Sequence, residues 1–336
     1  METIVSKAWP EWAGTLRRRS GGWNNTTYFV GNQTKRAVLR IYDTHKDKGK
    51  IEFEHAVLQQ LGSQNLPFKV PVPVSAATGE TMFQIDESGK FACLFRYIDG
   101  DTPNEEASGY AQSFGEAAGI LTTVLADINP GLTPVYRPYY ELRTSYPLCS
   151  TEVIRELCLY PPEPFRELGM ELEMLYKAYE NITDSLHEFS GLPHQLVHGD
   201  LNASNLLVQS SNPSVVAALL DFEFCTFDVR VMEPAVILSG LLGHVEEKTM
   251  IRDFCRGFSR RVQLTPAEIN AIPVLMLLRK IDVFLHFVTR YLEGTDESQV
   301  LHEQIKLLSA DLIQLSEGTA EIGTIVREEQ GRASRL

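Results

Sequence analysis

Apolar and polar positions alternate between Tyr28 and Tyr42. Tyr28-Phe29-Val30 and Ala37-Val38-Leu39-Arg40-Ile41-Tyr42 flank a turn around Gly31-Asn32, which predicts an antiparallel hairpin. In the second run Val38 and Arg40 share one face of the strand. A helix is predicted over Lys50 to Leu61, because Ile51, Leu58 and Leu61 fall on one 3.6-period face and Gly62 supplies a stop. Thr81–Ile85 and Phe91–Ile98 read as further strands around the turn Asp86-Glu87-Ser88-Gly89. The first third is thus expected to be a small antiparallel sheet with one helix.

A turn-rich connector, Asp99-Gly100-Asp101-Thr102-Pro103, leads into helical periodicity over 104–127 and 164–189. One island of strand signal interrupts the helices: Leu206-Leu207-Val208, a polar turn at 209–214, then Val215–Leu220. From Val231 onward the pattern returns to helix, and the polar stretch after Arg327 is expected to fray. The fold class is α+β, with a sheet-containing domain over 1–98 and a larger, mainly helical one over 99–336. Two domains suit a chain of 336 residues, since single cores stop growing at roughly 250–300.

Composition narrows the partners. A net charge of −13 argues against nucleic acid, whose binding draws on Lys and Arg. No stretch reaches the roughly 18 apolar residues of a membrane span, and METIVSKAWPEW lacks a basic-then-apolar start, so a cytoplasmic protein without a membrane partner is expected. Nothing in the sequence sets an oligomeric state. The five cysteines form no Cys-x-x-Cys pair that would suggest zinc or redox work.

The strongest chemical signal is His198-Gly199-Asp200-Leu201-Asn202-Ala203-Ser204-Asn205, with Asp221-Phe222-Glu223 beyond the strand island. If Leu206–Val208 and Val215–Leu220 pair, Asn205 and Asp221 sit side by side at the open end of the hairpin. Mg²⁺ prefers oxygen ligands and keeps several waters, so an Asp, an Asn and nucleotide phosphates suit it. Asp200 precedes Asn205 on the same loop and is the candidate base toward an acceptor hydroxyl. His198 is assigned a structural role.

His-Gly-Asp, four residues, Asn, and then Leu-Leu-Asp-Phe-Glu resembles the aminoglycoside phosphotransferase and choline kinase superfamily. The run from Asp221 to Leu242, with Asp228, Arg230 and Glu233-Pro234-Ala235, is most similar to homoserine kinase type II and hydroxylysine kinase relatives. The resemblance implies a protein-kinase-like two-lobed fold, ATP and Mg²⁺ as cofactors, a catalytic Asp200, and metal ligands Asn205 and Asp221. It also implies a nucleotide-binding lobe over 1–98 and a catalytic, substrate-binding lobe over 99–336. Related roles are known in protein kinases.

Three departures from that pattern stand out. The phosphate-holding strand lysine is replaced by Arg40, which keeps the charge in a planar fork. Val38, on the same face, would cover the adenine, and Glu54 would pair with Arg40, whereas Glu52 should face water. Ser20-Gly21-Gly22-Trp23-Asn24-Asn25-Thr26-Thr27 stands where a phosphate-covering loop belongs without either glycine-loop signature, so Gly21 and Gly22 are expected to donate backbone N–H groups. Glu233 occupies the place of an aspartate in many relatives and is expected to brace the catalytic loop.

Phe95-Arg96-Tyr97-Ile98 resembles a hinge that presents backbone groups to adenine, which places Tyr97 at the nucleotide. The helical region 276–293, with Arg279, His286, Arg290 and Tyr291, is a candidate lining of the acceptor pocket, each of these residues being equally readable as a surface or satisfied core position. The expected acceptor is a small amine-bearing alcohol such as homoserine, with Asp228 a candidate for its ammonium. Aminoglycoside phosphorylation and a catalytically silent kinase-like binding module are the alternatives.

Overall fold

The structure, a computed structural model, describes residues 1–19, 25–43, 47–85, 88–105 and 107–335. The strands are β1 (Thr15–Arg18), β2 (Asn25–Gly31), β3 (Arg36–Tyr42), β4 (Phe83–Gln84), β5 (Phe91–Arg96), β6 (His194–Val197), β7 (Leu206–Gln209), β8 (Asn212–Leu219) and β9 (Thr226–Val229). The helices are α1 (Glu2–Ala8), α2 (Lys48–Gly62), α3 (Ala111–Leu125), α4 (Leu142–Ser145), α5 (Thr151–Leu159) and α6 (Gly169–Ser185). They continue with α7 (Met232–Leu241), α8 (Glu247–Ser259), α9 (Pro266–Leu292), α10 (Ser298–Gly318) and α11 (Ile322–Ala333).

Two units divide the chain: Met1–Thr102 with Asp127–Val135 and Asn205–Cys225, and Pro103–Ala126 with Tyr136–Ser204 and Thr226–Leu336. The expected cut after residue 98 thus falls after Thr102, and the β7–β8 hairpin groups with the first unit although it lies far along the chain. Backbone hydrogen bonding explains why. Lys69 N–H donates to Ala217 O at 2.9 Å, Leu219 N–H to Lys69 O at 3.0 Å, and Asp101 and Val208 exchange bonds of 2.9 and 2.8 Å.

In the first unit an antiparallel sheet runs in the order β1-β2-β3-β5-β4. Alternation along β3 buries Ala37, Leu39 and Ile41 on one face, where they meet Leu94 and Trp9 in a shared core. Trp9 satisfies its indole by donating Nε1–H to Val74 O at 2.8 Å. Val38, Arg40 and Tyr42 point to the other face, toward α2. That helix starts at Asp47, whose carboxylate accepts the Gly49 N–H at 2.8 Å. It buries Ile51, Val57, Leu58 and Leu61, and Glu52 stays outside, paired with Lys48 at 2.9 Å. Within this unit β7 and β8 pair in the register Leu206↔Leu219.

In the second unit α3 lies against α8 at close range because each contributes a glycine. A Cβ on Gly115 would stand 2.0 Å from Phe254 O, and one on Gly257 2.1 Å from Gln112 O, so backbone packs on backbone there. The long α9 begins with a capping box between Thr265 and Glu268 and has Pro266 at its first turn. A short antiparallel pair, β6 with β9, precedes and follows the His198 loop; the sequence pattern did not predict it. The stretch after Arg327 does not fray as expected: it continues α11 to Ala333. Glu329, 1% exposed, holds it by pairing with Arg252 at 3.3 Å, Arg256 at 3.4 Å and Arg332 at 2.6 Å. Among the described residues no helix is long and apolar enough to cross a membrane.

Candidate active site

The first unit places a cation between two carboxylates. Arg40, its side chain 15% exposed, lies 3.2 Å from Glu54 Oε1 and 3.2 Å from Asp221 Oδ1. Tyr42 Oη–H donates to Glu54 Oε2 at 2.7 Å, and the guanidinium covers the Phe95 ring at 5.4 Å from its centroid. The Arg40–Glu54 pair anticipated from the helix face is present, and Asp221 joins it. Burial disfavours the Arg40 cation, but Asp221, Tyr42 and Glu54 outweigh burial and hold its pKa above the ordinary range. Burial pushes the Glu54 carboxyl up, opposed by Arg40 and by the Tyr42 hydroxyl.

Asp221 sits just past β8 with φ 65° and ψ 63°, the one non-glycine residue at positive φ among those described. An L-residue there is strained, by an amount of order 1–3 kcal/mol. Its buried Oδ1 makes no hydrogen bond; the Arg40 contact supplies charge without hydrogen-bond alignment. Beside it, Leu220 N–H donates to Asn205 O at 2.8 Å, so the hairpin brings Asn205 and Asp221 together as its pairing predicts. Two residues on, Glu223 Oε2 accepts from Asn25 Nδ2 at 2.7 Å, a contact that tethers the end of the glycine-containing segment. Sequence reasoning assigned Glu223 no role. Gly21 and Gly22 lie outside the described residues.

Val38 is half-buried on the Arg40 face, opposite Phe29 and Phe95 in the register. Tyr97 follows β5 directly. Its N–H donates to Arg36 O at 3.2 Å, so that donor is already committed. The Tyr97 ring instead packs edge-on against Phe29 at 5.8 Å and under the Arg36 guanidinium at 4.6 Å.

The second unit carries Asp200 in a loop held from several sides. Glu233, 1% exposed, accepts the His198 N–H at 2.6 Å, which is the bracing role expected of it. His198 is fully buried, and its Nδ1 accepts the Asp200 N–H at 3.2 Å. Asn202 Nδ2 donates to Asp200 O at 3.0 Å, and Tyr139 Oη–H donates to Gly199 O at 2.6 Å. Arg279, reaching from α9, ion-pairs directly with Asp200. The same guanidinium donates to Tyr139 Oη at 2.8 Å and lies 3.6 Å from Asp282, which accepts from Tyr146 Oη at 2.7 Å.

Burial raises the pKa of Glu233 and of Asp228 to about 7 each, and that of Asp282 to about 6. Asp228 cannot receive an acceptor's ammonium as the sequence reading allowed. It is fully buried and spends its oxygens on the N–H groups of Tyr139, at 2.7 Å, and Val229, at 2.6 Å. Tyr139 and Asp282 went unassigned in the sequence. The one available signal was a charged pair, Arg279 and Asp282, at i,i+3 in an otherwise largely apolar helix.

A small antiparallel sheet with two packed helices, a mainly helical second unit, and a braced His-Gly-Asp loop followed by an Asn/Asp hairpin define a small-molecule kinase with a protein-kinase-like fold. The profile of the phosphotransferase enzyme family matches residues 15–270, and the chain belongs to that family. Homoserine kinase of Methylobacillus flagellatus is 20% identical over 264 residues, covering 78% of this chain and 75% of that protein. Among solved structures, a microcompartment-associated aminopropanol kinase shares the fold with a TM-score of 0.70 at 18% identity, covering 96% of this chain and 98% of its own. The amicoumacin kinase hAmiN, in complex with AMP-PNP, Ca²⁺ and Ami, follows with a TM-score of 0.66 at 16% identity, covering 93% of each chain.

Proposed function

We propose that this phosphotransferase moves the γ-phosphoryl group of ATP, with Mg²⁺, to the hydroxyl of a small acceptor, homoserine or a related amino alcohol. The observation that carries the nucleotide half of this reading is Arg40 held between Glu54 and Asp221. A cation fixed at two points on a sheet is preorganised for phosphate oxygens and loses little freedom when they arrive. Val38 and Tyr97 flank that face for the base, and the backbone of Gly21 and Gly22 would approach the phosphates.

Asn205 and Asp221 fit a hard divalent cation. They are adjacent oxygen donors at a hairpin end, and the buried Asp221 Oδ1 lacks a hydrogen bond. Among the described residues no cluster of three or more His, Cys, Asp or Glu forms a complete protein cage, so phosphate oxygens and water would complete the shell, as is usual for Mg²⁺. Bound there, Mg²⁺ would supply positive charge against the phosphate oxygens. Asp200 orients the acceptor hydroxyl and takes its proton. A carboxylate with an ordinary pKa of about 3.9 is a weak base toward an alcohol, so its main contribution is alignment, with the proton arriving late.

Support for homoserine comes from the homoserine kinase similarity and from a chain with 44 acidic against 31 basic residues, an excess that attracts amine-bearing partners. A coupled nucleotide-consumption assay with homoserine, hydroxylysine, choline and an aminoglycoside, each at equal concentration with and without Mg²⁺, tests the proposal. Mg²⁺-dependent turnover highest with homoserine or hydroxylysine is expected. Turnover with the aminoglycoside alone would overturn the acceptor, and no turnover with any would revive a catalytically silent module.

A further inference from the structure

We infer that Arg279 is the acceptor's carboxylate receptor, so that the preferred acceptors are hydroxy-amino acids and not hydroxy-amines. The inference rests on the reading of Asp200 as the residue facing the acceptor hydroxyl. Arg279 comes from the 27-residue α9, its side chain 21% exposed and paired with that of Asp200. Tyr139 Oη accepts from the guanidinium at 2.8 Å and donates its own O–H to Gly199 O at 2.6 Å. The cation is therefore fixed to the same loop that carries Asp200.

A permanent cation on the acceptor base makes little chemical sense as a brace alone. It draws electron density from the carboxylate that must take a proton, and Glu233 and Tyr139 already hold the loop. The arrangement does make sense if the acceptor brings its own anion. Homoserine separates its hydroxyl oxygen from its carboxyl carbon by four bonds of about 1.5 Å each. A hydroxyl seated on Asp200 thus leaves the carboxylate within reach of a guanidinium in direct contact with Asp200. The fork then pairs with the incoming carboxylate, for which its geometry is suited, and Asp200 turns to the hydroxyl. Acceptors whose only charge is an ammonium gain no such pair, with Asp200 and Asp282 already facing the guanidinium, and so lose its contribution to discrimination.

The test compares kcat/KM for L-homoserine and L-homoserinol, which differ only in a carboxylate replaced by a hydroxymethyl group. It is run on the wild-type chain, Arg279→Lys and Arg279→Ala, with 1-aminopropan-2-ol as a third acceptor. The wild-type chain should favour homoserine by roughly 10- to 100-fold, the span of one charge-assisted hydrogen-bonded pair, mainly through KM. Arg279→Lys should keep part of that ratio, and Arg279→Ala should bring it near one. If Arg279→Ala turns nothing over, acceptor dissociation constants from thermal shift give the same ratio. Equal wild-type use of homoserine and homoserinol, or a ratio that survives Arg279→Ala, overturns the inference. Turnover of 1-aminopropan-2-ol above homoserine leaves the kinase reading standing and the carboxylate receptor refuted. Nucleotide consumption with none of the three, nor with an aminoglycoside, removes the kinase proposal itself and the receptor with it.

Discussion

Glu233 Oε2 accepts the backbone N–H of His198 at 2.6 Å, so a buried carboxyl on α7 fixes the loop that presents Asp200. Its other oxygen is buried without a hydrogen bond. The consequence is a pH signature. Burial raises the Glu233 pKa from 4.5 to about 7, so the folded state holds a proton that the unfolded chain releases. Stability from this group is fully present below about pH 4.5 and is lost as pH rises through about 7. Glu233→Gln, which keeps an acceptor for the loop, should flatten the fall in urea midpoint between pH 5 and pH 7.5. An unchanged slope would remove Glu233 as its source.

Asp200→Asn should reduce phosphoryl transfer by about 10³-fold or more, within the span assigned to a lost proton acceptor. Affinity for Mg·ATP should stay within a few-fold if the side chain faces the acceptor as proposed. Isothermal titration beside single-turnover kinetics separates the two quantities. Retained turnover sinks the assignment.

Asp221→Asn should weaken Mg²⁺-dependent nucleotide binding, since on the proposed reading it removes a charged ligand from an ion with few protein ligands. Asn205→Ala should act in the same direction and more weakly, because the ligand proposed there is neutral. Mg²⁺ titrations followed by nucleotide fluorescence would show the loss, and identical titration curves would place the metal elsewhere.

Arg40→Ala should abolish most activity and also cost stability, because it strands the Glu54 carboxylate at 3% side-chain exposure. Breaking a buried pair from one side costs about 3–5 kcal/mol. Arg40→Lys should recover part of the activity, having the charge without the fork. The double change Arg40→Ala with Glu54→Gln should restore much of the stability and none of the activity. Equal recovery of both would make Arg40 a structural residue only.

Local pattern revealed much of this protein. Alternation from Tyr28 to Tyr42 is realised as β2 and β3, and the apolar stripe of Ile51, Leu58 and Leu61 as the buried face of α2. Both follow from periods of two and 3.6 that a single segment carries within itself. The adjacency of Asn205 and Asp221 was legible for the same reason, because a hairpin joins neighbours in sequence. The choice of Glu54 over Glu52 for Arg40 also came from helical phase alone.

Tertiary structure decided what long separations conceal. Arg279 meets Asp200 across 79 residues, Asn25 meets Glu223 across 198, and the polar tail is helical because Glu329 finds arginines on α8. Such pairings depend on which helix faces cross, and no periodicity within either segment encodes that. The same holds for Asp228: as a residue type after a strand it could have received an amine, and only its burial among the backbone donors of Tyr139 and Val229 made it structural. The sequence determined which chemical groups are available and how each element faces; packing decided which of those groups touch, because burial and charge pairing are properties of the assembled units.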